Sequence, residues 1–399
     1  MTKNKAIIIG GGVAGPAMAL FLNKIGINAE IYEANEAIFS SGAGLNLAPN
    51  GFNVLAELGL AEKIIENGSI AQNGIFRNAT GSQLAKFRFS NLEKYKYPSV
   101  NLKREILNKI MLAELERNSI SIHYDKRLRK ITQTENSVSA FFEDGSEVNG
   151  TFLIGADGVR SKAREFILDN IIEPTFTGII GSGGFVAKNS IQNLSKTDAD
   201  NVHFIYGKNG FFGFSGVNEN ELMWWTNIVK PKPYSRDELK NFDQETEKKS
   251  LLNQYGNYSF PVSEIINKTN NFVRLNVFDV PFLPNYFKKN IILIGDAAHA
   301  VSPNSGQGAS MALEDAMLLA KLIRNENTLE ESFSMFEKIR RPRVEKIVLE
   351  GRKRGSDKVT VNTFQQKIRE LMIRIFVGLF AEKGNHWLFN YKINWNNKN

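Results

Sequence analysis

The chain contains no cysteine. That absence excludes a disulfide framework, thiolate metal sites and thiol catalysis together. It fits a reducing compartment, and the expected location is cytoplasmic. Histidine is scarce, with four in 399 residues. His123, His203 and His386 are scattered without ligand spacing, so no metal site is expected. No apolar run reaches the roughly 18 residues of a membrane-spanning helix, so no integral membrane segment is expected. The opening MTKNKAIIIGGG enters an apolar strand by residue 6 without a small-residue cleavage site, so a signal peptide is not expected. Internal repeats, low-complexity tracts and aromatic–basic nucleic-acid motifs are also missing.

What is present describes an ordinary globular chain, 42% hydrophobic and 23% charged. At about 150 residues per domain, two or three units are expected. The net charge is +8, from 50 Lys and Arg against 42 Asp and Glu. Residues 338–374 hold twelve basic and four acidic residues, which is the whole excess. Beside this cluster, Leu371, Met372, Ile375, Phe376 and Leu379 recur at helical spacing. They are expected to pack against the body of the protein with the basic residues solvated outside. A basic amphipathic helix on a membrane surface is the competing reading.

Along the chain, residues 5–10 read as a buried strand, Gly15 to Lys24 as a helix and 28–33 as a second strand, a βαβ opening. Helices are expected over Asn50–Leu58 and from Lys103 to about Arg117. Strands follow within 119–154, broken at the Asp144-Gly145 turn, and a further apolar strand covers 151–156. After about residue 170 the segments 202–207, 211–217 and 221–229 are short, aromatic and separated by turn clusters, which predicts an antiparallel meander. Helix–strand texture returns at Ile291–Ile294 and Ala309–Ile323, and a basic helical stretch runs from Glu330.

The first chemical motif is Gly10-Gly11-Gly12-Val13-Ala14-Gly15, between a predicted strand and helix. Gly10 permits the tight turn, Gly12 lets a pyrophosphate approach the backbone, and Gly15 allows close helix–strand packing. Glu33 ends the second predicted strand, where a carboxylate can accept from a ribose diol. Asp296 follows the strand Ile291–Ile294, the end of a strand where α/β ligands bind. Ser305-Gly306-Gln307-Gly308-Ala309 opens a helix whose free N–H groups and dipole favour negative charge. His299 is expected to pack or hydrogen-bond, and Glu314-Asp315 to form the polar face of a helix.

Three further segments carry a resemblance. Gly155-Ala156-Asp157-Gly158, with Ser161 and Arg164, resembles the "DG" motif of flavin-dependent aromatic hydroxylases. Gly295-Asp296-Ala297-Ala298-His299, followed by Pro303, Gly306, Gln307 and Gly308, resembles their "GD" motif. Gly42-Ala43-Gly44-Leu45-Asn46, with Pro49-Asn50, resembles their flavin loop. From the first strand to the end of the predicted helix Ala309–Ile323, the chain thus resembles the single-component, group A FAD monooxygenases. These include the para-hydroxybenzoate, salicylate and urate hydroxylases and the tetracycline-inactivating monooxygenases.

The resemblance implies an α/β fold with an α+β insert: a Rossmann-like FAD-binding domain (1–170 and 275–329), an inserted, mostly antiparallel substrate sheet (171–274) and a C-terminal helical tail (330–399). It implies FAD as cofactor, NADPH or NADH as a transient co-substrate, and O2. The implied reaction hydroxylates an aromatic or polycyclic molecule through a flavin C4a-hydroperoxide, with no catalytic side chain required. Tetracycline-type antibiotics are among the candidate substrates. A flavin-dependent oxidase or reductase on the same scaffold is the alternative. The resemblance places Arg104 against FAD, where a guanidinium suits a pyrophosphate, and gives Asp157 contacts to FAD and the nicotinamide nucleotide. Leu128 joins the expected cofactor contacts, as does Ala34, which stands where some relatives carry arginine. Phe185, Phe212, Phe214, Trp225 and Asn227 are the expected substrate residues, with Phe204 and Trp224 as further aromatic walls. No arginine occurs in the strands at 181–188, 202–207 and 211–217, which favours a neutral or larger substrate. A monomer or weak dimer without nucleic-acid partners is expected.

Overall fold

The computed structural model describes residues 5–37, 44–168, 170–356, 358 and 361–397. Its organising element is a run of short apolar strands buried on both faces, the pattern of a parallel sheet covered by helices. Lys5–Ile9 (β1), Asn28–Tyr32 (β2), Ile122–His123 (β8), Phe152–Gly155 (β12), Phe287–Lys288 (β18) and Ile291–Leu293 (β19) form one six-stranded sheet. Its order is β18-β19-β12-β1-β2-β8, parallel except at β18. Ala14–Lys24 (α1) leaves β1 directly and buries nearly its whole length. Against it lies Gly308–Asn325 (α6), which also packs on Pro49–Glu57 (α2).

The second sheet has seven strands. In chain order they are Asn73–Asn78 (β5), Gln83–Arg88 (β6), Thr175–Ala187 (β13), Val202–Gly207 (β14), Gly210–Gly216 (β15), Glu221–Val229 (β16) and Phe272–Asp279 (β17). The spatial order β17-β13-β16-β15-β14-β5-β6 is antiparallel apart from the β14–β5 pair. The expected meander is therefore present. The expected division at residue 170 is not: β5 and β6 come from within 1–170, yet extend the inserted sheet through the β14–β5 ladder. The hairpin at 73–88 carries its own apolar side and completes the edge of a sheet formed mostly by strands much later in the chain.

Two small sheets complete the framework. Gly44–Leu47 (β3), Ser69–Ile70 (β4) and Val100–Lys103 (β7) lie between the two large sheets, and Arg104–Arg117 (α3) follows β7. Leu128–Gln133 (β9), Val138–Phe142 (β10) and Glu147–Gly150 (β11) form the predicted hairpin strands. Gln244–Tyr255 (α4) and Val262–Lys268 (α5) cover one face of the seven-stranded sheet. The tail consists of Leu329–Ser356 (α7), Thr363–Met372 (α8), a π turn over Ile373–Val377 and Gly378–Phe389 (α9).

Candidate active site

The parallel strands set the site. Gly10 follows β1, Glu33 follows β2, Asp157 follows β12 and Asp296 follows β19, and these four strands are neighbours in one sheet. Four loops from widely separated parts of the sequence thus meet at one carboxyl edge. Gly10 has φ +110°, and a Cβ there would lie 2.3 Å from the Ala156 carbonyl oxygen. At Gly15 a Cβ would lie 2.0 Å from the Gly10 carbonyl oxygen. Gly12 differs, since the Arg104 guanidinium at 3.9 Å is all its Cβ would meet. Val13 and Ala14 complete the turn with buried side chains, and no side chain caps α1, so its first N–H groups face the edge uncapped.

Glu33 accepts from the Gly11 N–H at 2.7 Å and from the Asn35 N–H at 3.0 Å. Both carboxylate oxygens are thereby oriented while lone pairs remain for a further donor. Ala34 beside it is half-buried, and Leu128 is buried in the core at the start of β9. Asp157 accepts from Ser161 Oγ at 2.5 Å and from the N–H groups of Lys162 and Ala163 at 2.8 and 3.0 Å. Burial still pushes its carboxyl above the usual range against those bonds. The buried Arg164 donates to the carbonyls of Val159 and Ala297, tying the Asp157 loop to the Asp296 loop.

The Asp296 side chain stands open in the space between these loops. Desolvation by the surrounding protein still raises its pKa, with His299 and Arg104 opposing the shift. Arg104, exposed at the start of α3, has no acidic partner within 4 Å among the described residues. Beyond Asp296, Pro303–Ser305 forms a single 3-10 turn and Gly306 is left-handed at φ +64°. Ser305 and Gln307 are buried, and the Gln307 N–H donates to Ser305 Oγ at 3.1 Å. Gly308 and Ala309 then open α6 with no capping side chain. Eighteen residues of aligned peptide dipoles end here in uncapped N–H groups.

Glu314 and Asp315 are not a solvated helical face. Both are fully buried. Arg340 of α7 donates to Asp315 Oδ1 and Glu314 Oε2, each at 2.6 Å, and Arg343 grips Glu314 at 2.8 and 2.9 Å. Asp315 also receives the Gly295 N–H at 2.8 Å and lies 2.6 Å from His299 Nε2. Asn50 donates to Gln307 Oε1 at 3.0 Å and Glu314 Oε1 at 2.7 Å. The pair therefore supports the Asp296 turn and the head of α6 from behind, and His299 has the expected bonding role.

The cross-strand register sorts the substrate candidates. Phe212, Phe214 and Trp224 share the face buried under α4 and α5, with Trp224 Nε1 donating to Thr269 Oγ1 at 2.9 Å. The expected substrate roles of Phe212 and Phe214 are corrected accordingly: alternation turns them away from the carboxyl edge. Phe185, Trp225 and Asn227 lie on the opposite face with Phe204 and Phe211. That face meets the loop after β19, where Asn227 Nδ2 donates to Asn304 Oδ1 at 3.1 Å, and the end of β7, where the Lys103 ammonium lies 4.7 Å over Phe185. Gly213 opposes Trp225, and a Cβ there would lie 2.6 Å from the indole, so the glycine makes room for the ring. Of the expected flavin loop, Gly44, Leu45 and Asn46 form β3 against β7, just before Arg104, while Gly42 and Ala43 lie outside the described residues. Asn46 donates to Asn101 Oδ1 at 2.8 Å.

These surroundings fit a dinucleotide. The side of Gly12 is open where Arg104 waits, Glu33 and Asp157 are oriented by loop N–H groups while Asp296 stands open, and α6 presents an uncapped N-terminus. The family described as the FAD binding domain matches residues 3–350. The chain belongs to that FAD-binding family. An FAD-dependent urate hydroxylase of Klebsiella pneumoniae is 26% identical over 377 residues, covering 92% of this chain and 94% of that protein. The 6-hydroxynicotinate 3-monooxygenase of Bordetella bronchiseptica is 25% identical, covering 86% of this chain and 90% of that protein. The crystal structure of Klebsiella pneumoniae HpxO complexed with FAD and uric acid shares the fold with a TM-score of 0.87 at 24% identity, covering 97% of both chains. The resemblance to group A FAD monooxygenases is borne out, and this member of the FAD-binding family is an FAD-dependent monooxygenase.

Within this flavoprotein the sequence reading missed one cation. Lys358, from the tail, is buried on the inner side of the seven-stranded sheet, 2.8 Å from Asn304 Oδ1 and 4.3 Å over the Phe211 ring. It sits among twelve basic residues of one segment, so composition alone could not single it out. Lys188, which follows β13, instead donates to the Asn218 carbonyl at 2.6 Å.

Proposed function

We propose that this protein hydroxylates a compact aromatic acid or electron-rich heterocycle, using FAD, NAD(P)H and O2. The carrying observation is the Asn227–Asn304 bond, which brings the loop between Asp296 and the uncapped head of α6 to the sheet face that holds Phe185, Trp225 and Asn227. When bound, FAD supplies the redox chemistry that passes electrons from NAD(P)H to O2 and delivers one oxygen atom to the substrate. The residues supply placement. Gly12 and Arg104 take the pyrophosphate, Glu33 the adenosine ribose, and Asp296 a ribityl hydroxyl. The uncapped N–H groups of Gly308 and Ala309 would favour negative charge on a bound flavin. Asp157, with Arg164 behind it, borders the entry for the nicotinamide nucleotide. Phe185 and Trp225 give the substrate flat, water-poor walls.

Lys358 supports the choice of substrate class. The absence of arginine from the strands favours a neutral or large substrate only while no other cation reaches that face. Lys358 and Asn227 converge on Asn304 and mark a polar end suited to an acidic or hydrogen-bond-accepting group. Small acids and heterocycles therefore rank ahead of tetracyclines.

The test couples NAD(P)H consumption to product mass over a panel of hydroxybenzoates, purines, hydroxypyridines and tetracyclines. One member gaining a single oxygen atom from labelled O2 is the expected result. NAD(P)H oxidation that yields only hydrogen peroxide across the panel would favour the oxidase reading. A folded chain that takes up no FAD would overturn the proposal altogether.

A further inference from the structure

The tail helix α8 and the π turn after it are oriented opposite to expectation. Ile373 is buried and Val377 packs with it against the edge of the seven-stranded sheet beside Leu84 and Phe211. Arg369 donates to the Gly207 carbonyl at 2.6 Å and fixes the same side. The other side faces out. Phe364, Ile368, Leu371, Met372, Ile375 and Phe376 are 42–72% exposed. Phe380 extends the row, its ring 6.2 Å from Phe376. The side chain of Leu379 lies outside the described residues. Scattered exposed apolar residues are ordinary, but a continuous stripe on one amphipathic helix marks an interaction surface.

Charge identifies what that surface meets. Lys367, Arg374 and Lys383 are exposed along the stripe. Of the two acids in the same segment, Glu382 pairs with Lys94 at 3.1 Å, and the half-buried Glu370 accepts from Gln366 Nε2 of its own helix at 2.8 Å. A large apolar stripe bordered by cations suits the interface of an anionic bilayer. A second copy would meet like charges. No helix among the described residues is long and apolar enough to cross a membrane.

We propose that residues 364–383 form a peripheral docking surface for anionic lipid membranes, with the aromatic and aliphatic stripe entering the headgroup layer and Lys367, Arg374 and Lys383 contacting lipid phosphates. The FAD-loaded full chain is floated with vesicles of phosphatidylcholine alone or mixed with phosphatidylglycerol. Binding to the anionic vesicles, weakened by salt, is expected. A variant carrying Phe364→Ser, Leu371→Ser and Phe376→Ser should lose roughly tenfold or more of that binding. Lys367→Gln with Arg374→Gln and Lys383→Gln should lose about fivefold per charge on anionic vesicles. These side chains point outward, so both variants should keep the parent's FAD content and circular dichroism. Failure to float with either vesicle type, or a serine variant that floats like the parent, overturns the proposal. So does a concentration-dependent dimer abolished by the serine substitutions, which would assign the stripe to a second copy.

Discussion

The three motif glycines answer to different constraints, and substitution separates them. Gly10 and Gly15 face backbone atoms at 2.3 and 2.0 Å, which cannot yield without moving β12 or α1. Gly12 faces only the mobile end of Arg104 at 3.9 Å. Gly15→Ala should therefore lower the yield of folded protein. Gly12→Ala should fold with an unchanged melting temperature and lose FAD affinity by roughly tenfold or more, a loss of about 1.4 kcal/mol or more of phosphate contact. Flavin fluorescence titration of the two apoproteins checks both. A Gly12→Ala protein with parental affinity would remove the pyrophosphate from this turn.

His203 offers a second test at the same scale. It is buried against Phe214, with ring centroids 4.3 Å apart, and its Nε2 lies 3.1 Å from the Asp198 carbonyl. Nδ1 has no partner among the described residues. Burial pushes its pKa down to about 4, with Arg77 adding to the effect and Asp198 opposing it. The folded state holds the neutral ring, so the unfolded state binds the proton first. The stabilisation is complete above the ordinary value of 6.5 and is lost as pH falls towards about 4. The loss should reach up to about 3 kcal/mol. Across this window the parent's urea midpoint should fall as the pH is lowered, and that of His203→Phe should fall less.

At the scale of elements, the α6–α7 junction is a buried ion network rather than an apolar seam. Removing one partner from such a network leaves uncompensated charge. Arg340→Met should cost about 3–5 kcal/mol, read from urea unfolding, and Arg340→Lys should rescue it poorly because an ammonium cannot fork to two carboxylates. Asp315 is held down to about 2: His299, Arg340 and the Gly295 N–H outweigh the burial that raises it. Its contribution is present above the ordinary carboxylate value and disappears as pH falls towards 2. In Arg340→Met the acid transition should begin at higher pH.

This junction also shows what a sequence can and cannot tell. The strand-end motifs are legible because backbone geometry dictates glycine at Gly10 and Gly15, and because each acid follows an apolar strand. Glu314-Asp315 is not, since polar residues on an amphipathic helix look alike whether water or an arginine of the next helix covers them. Phe212 and Phe214 share a face in sequence and structure alike, but alternation fixes only relative faces, and the covering helices α4 and α5 choose which one is core. The hairpin at 73–88 reads into the wrong layer because its partner strand lies far along the chain.

For the whole molecule, the basic tail is partly an internal counter-charge. Arg340 and Arg343 neutralise Glu314 and Asp315, and Arg352 reaches Asp279 at 2.6 Å. The excess of +8 is therefore not simply a solvated face, since part of it compensates carboxylates buried in the body. Phe333 and Phe336 are fully buried in the core of the cofactor domain, and Trp395 returns to Phe21 of α1 with ring centroids 5.1 Å apart. A chain ending at 329 would expose that core and leave two buried carboxylates under the Gly295 turn without their arginines. It should fail to accumulate as soluble, FAD-binding protein. The stripe-to-serine variant, which changes only outward side chains, should accumulate normally. Soluble yield, circular dichroism and flavin content of the two proteins separate the tail's structural role from its surface role. A soluble, flavin-loaded 1–329 chain would show that α7 is an appendage and that Asp315 finds its compensation elsewhere.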